Sequence, residues 1–494
     1  MSSPTLWCPN YNAAGAYANS TPAPHCVIIW GSAPLSSILT NTLNTPGNRM
    51  KKTRHTLFNI SDPKQVDRHL EKLDTVGVSR RDFLTLASAG MAAAATASLW
   101  GLPAVAVAAP SGKLAYLAWT SRVEFMAQAS HATEAAAQLF GLGYSYLDGQ
   151  IDSQRQLNQA EQQLASGANA LILHAPDGSA VRRIAQLAKQ NNAYFANVWA
   201  TLPWYTPFEA SDYYTLYAVP EEFSAHRGVT EVLLNAVTER FGGGDIIGVT
   251  GVPGFSTDSV RSRGRDAAFA NFPKTRLVDQ LPGLFNREDA LKATQDLLSR
   301  HKNVVGVVAQ NDDVAQGVIA ALRGAGLRPD EDVLVVGADG TTEGARAIKQ
   351  GQQLATSANC PAFQAGFFTA RLFDVLNGWQ PRAAERMLNW HSVTMTKDNV
   401  DVYLERYVDN GDVPPFDYKR MSKVAHPQDW DPQGKITPLD IDVEWAGLPK
   451  PAGWTYPQAY LDAKNNGEWQ RVTEEYQAHY KIPFFGPSPL KGKV

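Results

Sequence analysis

The feature that most constrains this chain is an alternation of short apolar runs with amphipathic stretches of helical length, from Leu114 to about Val400. The runs are rich in Val, Ile and Leu, which is typical of parallel strands that are covered on both faces. The predicted strands of the first series are 114–119, 144–147, 170–174, 194–199 and 214–219, and those of the second are 246–250, 276–280, 304–309, 333–336 and 354–357. The sequence therefore predicts an α/β protein with two doubly wound parallel-sheet lobes.

Composition excludes several other classes of protein. The chain has 494 residues, 44% of them hydrophobic, and a formal charge of −3, which indicates several globular domains and excludes wholesale disorder. It has no long Lys/Arg tract, so we expect no nucleic-acid partner. Its three cysteines include no Cys-x-x-Cys pair, which excludes a zinc ribbon and a dithiol redox site. We expect neither a metal nor a cofactor.

The first 49 residues differ from the rest of the chain. Positions 1–48 contain no Lys, Arg, Asp or Glu, and they hold two of the three cysteines, Cys8 and Cys26. Residues 50–52 read Met-Lys-Lys, as many bacterial export signals begin. We interpret residues 1–49 as sequence upstream of the true start, with a disordered polar leader as the alternative, and both interpretations leave the segment outside the fold.

Residues 50–109 are predicted to be an export signal. Residues 79–84 read Ser-Arg-Arg-Asp-Phe-Leu and precede an Ala-rich apolar run, which resembles the twin-arginine signal. The run ends in Ala-Val-Ala at 106–108, which allows cleavage before Ala109. A membrane-spanning helix is the alternative, but Ala and Gly insert less readily than Leu, Ile, Phe and Val. The signal predicts a periplasmic protein.

The residues that follow the predicted strands are candidate site residues, because open parallel sheets bind ligands beyond the carboxyl ends of their strands. In the first series these residues are mainly aromatic, and in the second they are planar polar or charged groups. That division suits a small polyhydroxylated ligand, since rings cover C–H surface while Asp, Asn and Arg form hydrogen bonds with hydroxyls.

Four ordered segments resemble successive motifs of the type I periplasmic sugar-binding proteins, the ribose-binding family. Residues 309–312 read Ala-Gln-Asn-Asp, 335–341 read Val-Val-Gly-Ala-Asp-Gly-Thr, 355–359 read Ala-Thr-Ser-Ala-Asn, and 251–265 are similar to the segment that carries a ligand arginine. Members are two-lobed receptors that deliver sugars to ABC importers. The resemblance implies an N-terminal lobe of 110–218 plus 359–388, a hinge, and a C-terminal lobe of 219–358 plus 389–399.

The resemblance also implies ligand-binding residues in the second lobe. Arg263, Asn311 and Asp339 would bind sugar hydroxyls, and Asn359 stands where the family usually has Gln near the hinge. Each has a structural alternative. Asp339 and Asn311 could instead cap the helices that follow them. Arg261 lies two residues from Arg263 on a predicted helix and cannot share its face, so we interpret Arg261 as an exposed surface charge.

In the first lobe the sequence departs from the family pattern. Phe125 matches the first residue of an aromatic pair after the first strand. His174 replaces the usual Asn, Trp199 replaces an Asp that usually binds hydroxyls, and Trp119 replaces a smaller polar residue. These changes make the wall more aromatic, so ribose itself is not the expected ligand. The alternative is that both tryptophans belong to the core and that His174 is a structural histidine.

Residues 400–494 form a Trp- and Pro-rich extension that the resemblance does not explain. Trp430, Trp445 and Trp454 lie in it, and solvated linkers are poor in such residues. We interpret the extension as an irregular strap along the lobes or hinge, with a contact surface for a membrane partner as the alternative.

The predicted function is binding and not catalysis. The sequence contains no Gly-x-x-x-x-Gly-Lys-Ser/Thr, His-Glu-x-x-His or Gly-x-Ser-x-Gly motif. We expect a monomeric extracytoplasmic receptor that captures a monosaccharide or sugar alcohol by lobe closure and delivers it to an ABC permease. The alternative is a periplasmic sensor subunit that reports the same sugar to a signalling partner.

Overall fold

The computed structural model describes residues 112–411 and 413–492, so the predicted leader and export signal, 1–109, lie outside the described residues. The first strands and helices alternate as the apolar pattern predicts. They are β1 Gly112–Ala118, α1 Glu124–Leu139, β2 Leu142–Asp148, α2 Ser153–Ala165, β3 Ala170–Ala175, α3 Val181–Gln190, β4 Tyr194–Trp199, the short α4 Pro207–Ala210 and β5 Tyr214–Pro220.

A second alternating series follows the first. It comprises α5 Glu222–Phe241, β6 Gly244–Thr250, α6 Ser256–Phe269, β7 Thr275–Pro282, α7 Arg287–Arg300, β8 Val304–Ala309, α8 Asp312–Gly324, β9 Leu334–Asp339, α9 Thr342–Lys349 and β10 Ala355–Ala358. The chain then continues through α10 Pro361–Leu376, β11 Met387–Trp390, β12 Val393–Thr396 and α11 Val400–Tyr407. The remaining elements are β13 Ile436–Pro438, α12 Ile441–Glu444, α13 Gln458–Asn465 and α14 Glu468–His479, and two single-turn 3-10 helices lie at Ala383–Glu385 and Tyr418–Met421.

The strands form two separate sheets, one in each lobe. The first lobe has the order β13-β11-β5-β4-β3-β1-β2, and the second has β12-β10-β9-β8-β6-β7. The neighbouring strands are parallel except at the edges, where β13 pairs antiparallel with β11 and β12 with β10. Every residue of β3 and β9 is buried, as expected for strands covered on both faces. The prediction of two doubly wound lobes is confirmed.

The chain crosses between the two sheets three times, and these crossings form the hinge. The first crossing joins β5 to α5, the second joins β10 to α10, and the third joins β11 to β12. Because β11 pairs with β5 as far as Trp390, the third crossing lies at His391 and Ser392 and not at 388–389.

The C-terminal extension packs against both lobes. Its strand β13 continues the first sheet, and Trp430 and Trp445 are buried, whereas Trp454 is half-buried. The carbonyl of Glu444 accepts a hydrogen bond from Arg263 of the second lobe at 3.0 Å. These contacts favour the strap interpretation. Among the described residues, no helix combines the length and apolar character that crossing a bilayer requires.

Candidate functional site

A cavity of about 500 Å³, including the space that opens to solvent, lies between the carboxyl ends of the two sheets. The first lobe contributes Trp119, Val123, Phe125, His174, Ala175, Trp199 and Ala200, and the second contributes Phe255, Thr257, Arg261, Phe285, Asn311 and Asp339. The lining residues lie at or just after the carboxyl ends of strands, or in the first turns of the next helix, which is where an open parallel sheet presents ligand contacts.

The structure brings most of the predicted site residues together. Six of them line the cavity, namely Trp119, Phe125, His174, Trp199, Asn311 and Asp339. Asn359 lies behind Asp339 and forms a hydrogen bond with it. Arg263 lies outside the cavity lining, where it contacts the extension.

Arg261, and not Arg263, is the arginine of the cavity. Only 1% of Arg261 is exposed, so the prediction of an exposed surface charge is wrong. Its Nη2 lies 2.6 Å from Asp339 Oδ1 and 2.9 Å from Glu222 Oε1, its Nε contacts the other Glu222 oxygen, and its Nη1 donates to the Gln310 carbonyl at 2.7 Å. Two residues on a helix point about 200° apart, so the face that reaches the cavity with Arg261 turns Arg263 away.

Glu222 holds Arg261 in place, and the sequence interpretation missed it. Burial lowers the pKa of Arg261, but attraction by Asp339 and Glu222 outweighs burial and raises the pKa above its ordinary value. The guanidinium therefore stays charged. Burial raises the pKa of Glu222, while Arg261 opposes that shift. Glu222 follows the carboxyl end of β5, so the rule that identified the other residues also points to it.

Asn311 caps a helix and lines the cavity at the same time. Its Oδ1 accepts a hydrogen bond from the Val314 amide at 2.9 Å, while its amide nitrogen has no partner among the described residues. Both interpretations of Asn311 therefore describe its position. The amide oxygen serves the helix, and the NH₂ group is available to a ligand.

Asp339 does not cap the following helix. That role belongs to Thr341, whose Oγ1 accepts from the Gly344 amide at 3.1 Å. Asp339 has a φ of 101°, a region that non-glycine residues rarely adopt and that recurs at functional sites. One carboxylate oxygen accepts from Arg261 and from Asn359, and the other has no partner among the described residues.

The first-lobe wall of the cavity is aromatic. The Trp199 ring stacks on His174 with centroids 5.8 Å apart and meets Phe125 edge-on at 5.7 Å. Its indole N–H donates to Gln364 Oε1 at 2.7 Å, and the Arg261 guanidinium lies 5.4 Å from the ring centroid. Trp199 thus packs in the core and lines the site. Across the cleft, Phe255 meets Trp119 edge-on at 6.5 Å.

His174 contributes an uncharged polar group to this wall. Burial lowers its pKa to about 3, so the imidazole is neutral at physiological pH. One ring nitrogen lies 3.5 Å from the Tyr116 hydroxyl, at the limit of a hydrogen bond, and the other has no partner among the described residues.

A polar network connects the cavity to the three crossings of the hinge. Asn359 of the second crossing donates to Asp339 Oδ1 at 3.2 Å and lies 3.4 Å from Glu222 Oε1, beside the first crossing. Ser392 of the third crossing donates to the side-chain Oδ1 of Asn359. Each crossing thus contributes one polar side chain to the group that holds Asp339 and Arg261.

The lobes also touch across the cleft beside the cavity. The Glu124 carboxylate of α1 accepts from the Thr342 amide at 2.9 Å, at the N-terminus of α9. Gln128 donates to the Thr342 hydroxyl at 2.8 Å. A carboxylate is favourable at a helix N-terminus, so these contacts stabilise an arrangement in which the lobes are closed.

Within 112–411 and 413–492, no group of His, Cys, Asp and Glu side chains is arranged to hold a metal ion. Cys360 is buried, and burial raises the pKa of its thiol to about 12. The thiol is therefore protonated and inaccessible at neutral pH.

Comparison with known proteins identifies the family to which this architecture belongs. A family model described as a periplasmic binding protein domain matches residues 114–378. The ribose import binding protein RbsB of Salmonella typhimurium is 28% identical over 243 residues, which cover 48% of this chain and 75% of that protein. The xylitol-binding protein of Mycolicibacterium smegmatis is 27% identical over 259 residues, which cover 52% and 69%.

Two solved structures share the fold. A twin-arginine translocation pathway signal protein from Burkholderia phytofirmans has a TM-score of 0.57 and 23% identity, over 60% of this chain and 93% of that one. An ABC transporter periplasmic solute binding protein from Actinobacillus succinogenes with bound D-allose has a TM-score of 0.53 and 22% identity, over 59% and 99%. The family match, together with the shared fold, confirms the resemblance to type I periplasmic sugar-binding proteins.

Proposed function

This chain belongs to the periplasmic binding protein domain family, and on that premise we propose that it captures a monosaccharide or sugar alcohol between its lobes. Relatives named for ribose and xylitol, and a structural neighbour with bound D-allose, support this ligand class. The proposal includes no catalytic step.

The observation that carries the proposal is the division of the cavity between its two lobes. Arg261, Asn311 and Asp339 present charged and amide groups from the second lobe, while Phe125 and Trp199 present ring surface from the first. The second lobe thus supplies most of the hydrogen-bonding groups, and rings from both lobes supply apolar surface, a combination that suits a hydroxylated ring or chain. A ligand that touches both lobes favours their closed arrangement.

Ligand binding is tested by thermal unfolding of the protein beginning at Ala109 with pentoses, hexoses, polyols and nucleosides, followed by calorimetric titration. At about a hundred times its dissociation constant, a ligand stabilises the folded state by roughly 2.7 kcal/mol. Asp339→Ala should weaken binding by about 1.5–3 kcal/mol, roughly ten- to a hundred-fold. The control is Asp398→Ala, which removes an exposed carboxylate of the same lobe. If no sugar or polyol shifts unfolding, the proposal is wrong.

We further propose that the closed, liganded monomer delivers its sugar to an ABC permease. The alternative is a sensor subunit that presents the same closed form to a signalling partner. Deletion of the gene distinguishes the two. Loss of labelled-sugar uptake supports delivery, whereas intact uptake with loss of a sugar-induced transcriptional response supports sensing.

Export through a twin-arginine signal is proposed from residues 50–109. The periplasmic family supports the destination, and the signal itself lies outside the described residues. Amino-terminal sequencing of periplasmic protein should give a start near Ala109, and replacing both Arg80 and Arg81 by Lys should retain the protein in the cytoplasm. A periplasmic chain that starts near Met1 or Met50 would contradict this assignment.

A further inference from the structure

We propose that the preferred ligand is a deoxy sugar or a similarly hydroxyl-poor polyol, with its hydroxyls along one edge and C–H or methyl surface elsewhere; this inference rests on the proposed sugar-binding function. It follows from which polar groups of the cavity are still free to bind a ligand. The protein's own hydrogen bonds occupy many of them.

Arg261 retains little hydrogen-bonding capacity. A guanidinium has five N–H donors, and Arg261 makes four hydrogen bonds, to Glu222, Asp339 and the Gln310 carbonyl. About one donor is left for a ligand. The arginine therefore serves mainly to position Asp339 and contributes a single contact to the cavity.

The second lobe supplies most of the remaining free polar groups of the cavity. One Asp339 oxygen can accept from a hydroxyl, because only the other is used by Arg261 and Asn359. The NH₂ group of Asn311 can donate, since only its oxygen is engaged by the helix. The Thr257 hydroxyl lies at the same lining. An acceptor beside donors matches neighbouring hydroxyls on one edge of a ligand.

The opposite wall offers few partners for further hydroxyls. The indole N–H of Trp199 is already bonded to Gln364, so this residue presents only its ring. Val123, Phe125 and Ala200 add apolar surface, and Phe255 and Phe285 add rings from the second lobe. Among the lining side chains of the first lobe, His174 can accept a hydrogen bond and the indole N–H of Trp119 can donate one, so this wall offers two polar partners at most.

A fully hydroxylated pentose or hexose therefore has hydroxyls that would face this apolar wall. A hydroxyl that loses its water and gains no partner weakens binding by about ten-fold, whereas a methyl or methylene at that place gains contact with the rings. The cavity is therefore expected to disfavour a ligand that carries a hydroxyl at the position facing the apolar wall.

The test is calorimetric titration of the protein with sugar pairs that differ by one hydroxyl: L-rhamnose and L-mannose, L-fucose and L-galactose, D-fucose and D-galactose, and 2-deoxy-D-ribose and D-ribose. The deoxy member should bind at least ten-fold tighter in one pair or more. If the hydroxylated member binds as tightly or tighter in every pair that binds, this inference is overturned and sugar binding stands. If no member of any pair, and no other sugar or polyol, binds, both fall.

A variant pair then locates the preference in the wall. Phe255→Asn places an amide on the half-buried aromatic lining and should reduce the preference for the deoxy member by at least threefold. Phe241→Asn makes the same change on an exposed ring outside the cavity lining and should leave the preference unchanged. An unaltered preference in Phe255→Asn, in protein that melts like the parent, would overturn the apolar wall as its origin.

Discussion

The side-chain amide of Asn359, on the second crossing between the lobes, donates to Asp339 Oδ1 at 3.2 Å, and Arg261 contacts the same oxygen at 2.6 Å. Ser392 of the third crossing in turn donates to Asn359, and Glu222 beside the first crossing binds Arg261. A ligand that reorients Asp339 therefore acts on groups attached to all three crossings. Direct hydrogen bonds therefore connect Asp339 and Arg261 to the three crossings.

Arg261→Lys should weaken ligand binding by at least ten-fold and lower thermal stability. A lysine ammonium lacks the planar fork that reaches Glu222 and Asp339 together, so a buried carboxylate is left poorly paired. We expect the free energy of unfolding to fall by about 1–3 kcal/mol, measured by urea titration.

The matched control is Arg263→Lys, two residues away on the same helix. Arg263 makes one hydrogen bond, to the Glu444 carbonyl, and is half-buried. The affinity of the Arg263→Lys variant for its sugar ligand should stay within about twofold of the affinity of the parent protein. If Arg263→Lys weakens binding as much as Arg261→Lys, the assignment of the cavity arginine is wrong.

Asn311→Ser separates the two roles of Asn311. Serine is a good helix N-cap, so stability without ligand should change by less than about 0.5 kcal/mol, whereas Asn311→Ala should lose about 1 kcal/mol. Both variants remove the amide donor from the cavity, so both should weaken binding roughly two- to ten-fold. Calorimetric titration of Asn311→Ser that matches the parent would show that Asn311 serves only the helix.

Asp312 should make the protein less stable as pH rises from about 4 to about 7. Burial, reinforced by repulsion from Asp339, raises the pKa of Asp312 from 3.8 to about 7. In that window the folded state holds a proton that the unfolded chain releases, so the free energy of unfolding falls with increasing pH. Asp312→Asn should flatten this part of the profile, measured by urea unfolding across the window.

The protein that carries Asp312→Asn is expected to fold. Asp312 Oδ2 accepts from the Gly340 and Thr341 amides, which an amide oxygen can replace, and Oδ1 accepts from Gln353 Nε2 at 2.8 Å. Gln353 Oε1 has no partner among the described residues, so rotation of its amide lets it accept from the new NH₂ group, with loss of the Nε2 hydrogen bond to the Ala355 carbonyl. Asp398→Asn, at an exposed position, is the control and should parallel the parent profile. If the free energy of unfolding of Asp312→Asn fell with pH as steeply as that of the parent, the raised pKa of Asp312 would be contradicted.

Lys423→Ala should destabilise the protein by on the order of 3 kcal/mol. Lys423, in the extension, contacts Glu385 of the first lobe at 2.5 Å and Glu475 at 2.9 Å, and its Nζ lies 4.3 Å from the Trp430 ring centroid. Its side chain is only 10% exposed, and its removal leaves the buried Glu385 carboxylate with Arg382 as its remaining basic partner among the described residues.

Lys450→Ala is the control for this contact. Lys450 also lies over aromatic rings of the extension, but its side chain is 41% exposed. The melting temperature of the Lys450→Ala variant should not differ measurably from that of the parent protein. Equal effects of the two substitutions would show that the extension is not anchored through Lys423.

The apolar pattern alone determined the two lobes and most of the cavity. A strand buried on both faces must be continuously apolar, and the residue after its carboxyl end must meet the ligand edge of the sheet, so local sequence is sufficient. His174, Trp199, Asn311 and Asp339 were found in this way. Glu222 obeys the same rule, since it lies two residues beyond the carboxyl end of β5.

Tertiary packing decided between Arg261 and Arg263. A Cβ at Gly264 would collide with the Phe223 carbonyl of α5, so this glycine allows α6 to lie close against α5. Residues three apart share a helix face, which places Arg261 beside Glu222 and turns Arg263 toward the extension. The glycine is visible in the sequence, but the helix that it faces is not.

The position of the extension was also decided only by the folded chain. The pairing of β13 with β11 and of Lys423 with Glu385 joins segments that are distant in sequence. Period and composition report which residues are buried, and they carry no information about which remote surface buries them, because burial free energy is non-directional. The geometry of hydrogen bonds and charge pairs selects the segment that packs against the extension. Those hydrogen bonds and charge pairs form only when the lobes have packed.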